Sequence, residues 1–188
     1  MKAAPQLKAT IFRFFLLIML FCISSCKKTN PIENTLKNEA FIKTEKEEIE
    51  AFFFIATANA SKSIISKSEI AQQKSSDSTI QELSKKIEIN QNQLLQEVSK
   101  MANKKLIIIT EINATHKRDL YELIDASNID FNKTYLDSMI ESLKEEIGLF
   151  ESISKETNDK MILKLVLHYL PEQYQILREL QKSNNEFI

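Results

Sequence analysis

The sequence predicts an all-α protein, and three observations carry that prediction. A single glycine, Gly148, and three prolines are too few to turn the strands of a β-sheet protein. Lys, Glu, Gln, Leu and Ala are abundant, and these side chains lose little freedom in a helix. Apolar residues recur at three- and four-residue steps over several long stretches, the spacing of one helix face.

The first segment is not part of the fold. Lys2, Lys8 and Arg13 make a basic start, and "FFLLIMLFCI" (14–23) makes an apolar run. A bilayer span needs roughly 20 apolar residues, so this shorter run reads as a cleaved signal peptide, residues 1–25. Ile23-Ser24-Ser25-Cys26 then resembles the bacterial lipobox: an aliphatic residue, two small residues and a thiol. The resemblance implies cleavage before Cys26 and lipidation of its sulfur, so Cys26 is the expected lipidation site. Two or more acyl chains anchor a protein stably. Cys22 is removed with the signal, so one cysteine remains and no intrachain disulfide forms. Lys27, Lys28, Thr29 and Asn30 contain no acidic cluster of the kind some diderm bacteria read as a surface signal. That favours a lipid-anchored domain of the bacterial cell envelope, facing the periplasm.

Residues 26–43 are polar and read as a tether between lipid and domain. The domain, 44–186, opens with Thr44-x-x-Glu47 as a capping box, and its first helix runs to about Lys74. "AFFFIATANA" (51–60) reads as core. "SSDS" (75–78) is a turn, and Ser78-x-x-Gln81 opens a second helix. That helix carries Ile80, Leu83, Ile87, Leu94, Val98 and Met101 on one stripe, with Gln91 where another apolar residue is expected. "LIII" (106–109) is β-branched and reads as an extended connector, followed by a short helix over 114–126. A helix over about 131–155 buries Tyr135, Met139, Leu143, Ile147 and Phe150. The last, about 159–184, presents Ile162, Leu165, Tyr169, Ile176, Leu177 and Leu180, and Pro171 should kink it. Four long amphipathic helices with one longer crossover predict a four-helix bundle with a short connector helix.

Composition excludes several function classes. A net charge of −1 supplies no basic field for nucleic acid. One glycine cannot build a phosphate-cradling loop. The two histidines, His116 and His168, stand in no triad context and have no Glu three residues before them, so both read as solvated or structural. Asp137, Glu141 and Glu145 form an acidic ladder, but they lie about 140° around the helix from Leu143 and should face solvent. Glu146 sits nearer the core edge.

"EIAQQKSSDSTIQELSKKIEINQNQL", "FNKTYLDSMIESLKEEIGLFE" and "LHYLPEQYQILREL" together resemble the bacterial family called domain of unknown function 4142. The resemblance covers about residues 50 to 182. It implies an exported or lipid-anchored, ferritin-like bundle with histidine and glutamate ligands. At the family's three histidine places this chain has Gln91, Leu143 and Ile176, and at its first-helix glutamates it has Ile64 and Ser66. Glu146 is the acid kept. Gln91, Leu143, Ile176, Glu146 and Ser66 are therefore degenerate metal positions, and no metal or other cofactor is expected, because Leu and Ile offer no lone pair. The expected protein is a non-catalytic, lipid-anchored bundle that binds a protein partner or maintains the envelope. The alternative is a ferritin-like metal-binding protein or oxidoreductase with an atypical carboxylate site.

Overall fold

The computed structural model describes residues 31–109, 111–127 and 130–186, with side chains from Thr44 onward. The expected signal segment, the lipobox-like stretch and Cys26 lie outside the described residues. The chain divides after Ile42, and the packing below belongs to the unit Lys43–Ile188. All regular structure among the described residues is helical.

Helix α1 spans Pro31–Lys74. It begins well before Thr44, so the anticipated capping box lies inside the helix. Pro31 suits a first-turn position, where its missing N–H costs nothing, and no glycine or proline interrupts the chain from there to Lys74. Helix α2 is Ser78–Lys104. Its cap is Asp77 rather than Ser78. The Asp77 carboxylate, on extended backbone, accepts from Thr79 N at 2.8 Å and Ile80 N at 3.3 Å. Gln81 reaches back to the Ser75 carbonyl at 2.7 Å. Residues 107–109 lack regular structure, as expected of a connector.

Helix α3, Ala114–Asp125, starts where Asn113 accepts from His116 N at 2.9 Å. Helix α4 is Phe131–Glu156 and helix α5 is Lys160–Asn185, the latter capped by Asp159 on Met161 N at 2.8 Å. Pro171 lies inside α5, which continues through it. Its missing donor would otherwise bond the Leu167 carbonyl, and both residues are exposed, so water can take that bond.

The predicted stripes of α2, α4 and α5 are buried, except that Met101 is half-buried. They form two apolar clusters. One joins Ile64 of α1, Ile80 and Ile87 of α2, Tyr135, Met139 and Leu143 of α4, and Ile176 and Leu180 of α5. The other joins Phe53, Phe54 and Ala58 of α1, Leu94 and Val98 of α2, Phe150 of α4, and Ile162 and Tyr169 of α5. Phe53 meets Phe150 edge-on with ring centroids 5.5 Å apart. Each fully buried Leu, Ile or Phe contributes about 1.5–3 kcal/mol. Along the chain, α2 and α4 pass from the first cluster to the second, whereas α1 and α5 pass from the second to the first. Helices α2 and α4 therefore run in the same sense, and α3 lies within the crossover that connects them.

Candidate functional site: a buried polar layer

One polar residue on each long helix falls at the junction of the two clusters. Ser61 stands three residues after Ala58 and three before Ile64, on the inward face of α1. Gln91 occupies the α2 stripe between Ile87 and Leu94. Gln173 occupies that of α5 between Tyr169 and Ile176. Glu146 is three residues beyond Leu143 on α4, which turns it inward. Ser61, Gln91, Glu146 and Gln173 are all fully buried.

They bond to one another. The Ser61 hydroxyl donates to Glu146 Oε1 at 2.9 Å, and the Gln91 amide donates to Glu146 Oε2 at 2.7 Å. Gln91 Nε2 also donates to Gln173 Oε1 at 3.0 Å. Gln173 Nε2 donates to Asn90 Oδ1 at 3.1 Å, and Asn90 donates to the exposed carboxylate of Glu172 at 2.7 Å. A continuous chain of side-chain bonds thus runs from the centre of the unit to its surface. Gln91 Oε1 is left buried with no partner.

Burial pushes the Glu146 carboxyl up from its usual 4.5 to about 7. The bonds from Gln91 and Ser61 oppose that rise, and the charge on Glu145 adds to it. Near neutral pH this group exchanges a proton inside a low-dielectric layer.

A second buried charge lies on α1. Lys67 is 1% exposed; its ammonium donates to Ser142 Oγ at 2.8 Å and stands 3.9 Å from Asp119 Oδ2 of α3. Burial lowers its pKa, and Asp119, Glu141, Glu145 and Glu122 oppose that shift. His116, also buried, sits 4.0 Å from Glu145 Oε1. Lys74 Nζ donates to the carbonyls of Ile124 at 2.6 Å and Ala126 at 3.0 Å, which ties the end of α3 to α1.

The positions singled out in the sequence divide accordingly. Gln91 and Glu146 are brought into direct contact. Leu143 and Ile176 are buried in the first apolar cluster, as is Ile64. Ser66 is half-buried and takes no part in the polar layer. Asp137, Glu141 and Glu145 are exposed, as is His168. Sequence reasoning missed Gln173, Ser61 and Lys67, although each is a polar residue at an apolar-spaced position.

As a donor set, the layer offers one carboxylate, amide oxygens and a hydroxyl, with no imidazole or thiolate. Among the described residues, no three His, Cys, Asp or Glu side chains group closely enough to hold a metal ion. No described helix is long and apolar enough to cross a membrane. The chain has no match among the curated proteins and none among the solved structures compared with it. A family profile matches residues 40–182, which include all four residues of the layer, and the chain accordingly belongs to the family described as Domain of unknown function (DUF4142).

Proposed function

We propose that this protein is a non-catalytic, lipid-anchored four-helix bundle of the bacterial cell envelope. It is held at the membrane through Cys26, faces the periplasm, and acts by binding a protein partner or maintaining the envelope. Residues 1–25 are its signal peptide and 26–43 the link to the domain. The opposed senses of α1 and α5 against α2 and α4, with one long crossover, support a ferritin-like arrangement of the bundle.

The observation that carries the non-catalytic reading is the environment of Glu146. Both of its oxygens are taken by Gln91 and Ser61, and the neighbouring positions 143 and 176 hold Leu and Ile. A buried carboxyl group whose two oxygens accept from an amide and a hydroxyl supports a structural role for Glu146. The anchor is supported by Ile23-Ser24-Ser25-Cys26.

Metal analysis of the purified chain from Lys27 onward, after incubation with Fe, Mn and Zn, tests the first part. The expected result is no stoichiometric metal and a melting temperature indifferent to added metal. Stoichiometric metal that disappears in Glu146→Ala would overturn it in favour of a carboxylate metal site. For the anchor, labelled palmitate should enter the wild type and not Cys26→Ala.

A further inference from the structure

The two most exposed large aliphatic side chains among the described residues are neighbours on the α2–α3 connector. Leu106 is 90% exposed and Ile108 82%. Ile107 and Ile109, alternating with them, are half-buried and pack against the second apolar cluster. The connector is thus fixed by alternate residues and displays the others.

Its backbone is built to do so. Leu106 has φ 59, a left-handed conformation that a leucine adopts only at a cost. The bonds Ile107 N to Ala102 O at 2.9 Å and Leu106 N to Asn103 O at 3.1 Å make a Schellman end to α2, with leucine where glycine is the usual residue. The left-handed turn closes the end of α2 and brings Ile107 and Ile109 onto the core, and it leaves the Leu106 side chain in water.

Two exposed lysines precede the connector on the last turns of α2. Lys100 and Lys104 are exposed, and no ion pair engages either among the described residues. Lys105 is more than balanced by the two carboxylates of Glu50 and Asp159, each at 2.7 Å, so the free positive charge beside the tip is that of Lys100 and Lys104. Apolar side chains flanked by lysines match an anionic phospholipid surface, where aliphatic groups enter the headgroup boundary and ammonium groups meet phosphate.

We propose that the Leu106–Ile109 connector, with Lys100 and Lys104, is a membrane-docking tip that seats this end of the domain on anionic phospholipid. The proposal rests on the lipid-anchor reading, since a tip this small serves a domain already held at the bilayer.

Among the described residues every core residue lies between Phe53 and Leu180, so the chain from Lys27 onward retains that core and lacks the apolar signal segment. This unlipidated chain is sedimented with vesicles of phosphatidylglycerol and phosphatidylcholine, and with phosphatidylcholine alone. The expected result is salt-sensitive binding to the anionic vesicles only. Leu106→Asp/Ile108→Asp should weaken it about tenfold or more, since two aliphatic groups leave the bilayer boundary. Leu106→Gly separates function from folding, because it should weaken binding while the melting temperature holds or rises. Absence of binding, equal binding to both vesicle types, unchanged binding of the double variant, or a dimer that the double variant converts to monomer would each overturn the proposal. Palmitate labelling of Cys26 is read separately, so failure of the tip and failure of the anchor give different results.

Discussion

Glu146 and Lys67 are both charged residues in the interior, and they are accommodated in opposite ways. Glu146 is met by neutral donors only, Gln91 and Ser61, so its cheapest state near neutrality is one in which the proton comes and goes. Lys67 is met by Ser142 and by the carboxylate of Asp119, itself 30% exposed, so its charge is balanced by an ion partner that still touches water. A buried group with neutral partners makes stability depend on pH. One with an ionic partner makes it depend also on that partner staying in place. Here that partner belongs to α3.

The sharpest way to break this comparison is pH. The folded pKa of Glu146 is raised to about 7 from 4.5, so the folded state binds this proton more tightly than the unfolded state. The stabilising contribution is full below about 4.5 and is lost as pH rises through about 7. Over that window it amounts to something on the order of 3 kcal/mol. Urea unfolding of wild type and Glu146→Gln at pH 5 and pH 8 should show the wild type losing that much more than the variant. Equal pH dependence would mean that Glu146 is solvated.

Gln91→Ala comes next. It leaves Glu146 Oε2 and Gln173 Oε1 without their donor and opens a cavity, at a cost of about 2–3 kcal/mol in the midpoint of the same titration. Asp119→Asn should cost about 1 kcal/mol, because Lys67 keeps Ser142 but loses its counter-ion. The smallest effect is Lys67→Met, within about 1 kcal/mol of neutral and of either sign, since the cation leaves with its desolvation cost and the stem is replaced by similar volume. In the Lys67→Met background the Asp119→Asn penalty should vanish. A penalty that persists would assign Asp119 a role apart from this pair.

The stripes were legible because a 3.6-residue period is a property of one helix and needs no knowledge of its partners. Gln91 announced itself as a polar residue breaking such a stripe, and Glu146 as an acid beside one. Gln173 carried the same signal on α5, four residues after Tyr169, but Pro171 drew attention to the backbone there instead. Ser61 and Lys67 sit in "NASKSIISKSEI", where polar residues occur on every face and the stripe through Ala60, Ile64, Lys67 and Ala71 is faint. Asp119 has no local signature, because its partner is 52 positions away and the contact exists only once α3 is docked. The Asp77 cap was a local error, decided by which of two adjacent groups reaches a free N–H.

The polar layer also bears on how the chain rejects wrong alignments. Leucine and isoleucine contacts change little when one helix slides along another, since the next residue on the stripe is equally greasy. A shift of α4 by one turn, about 5.4 Å, would carry Glu146 away from Gln91 and Ser61 and press a carboxyl group into aliphatic or aromatic neighbours. The same displacement of α2 or α5 would strand an amide. Four helices with interchangeable apolar faces thus share one position at which only a single lengthwise alignment satisfies them all, and that position works as the notch in which the helices lock.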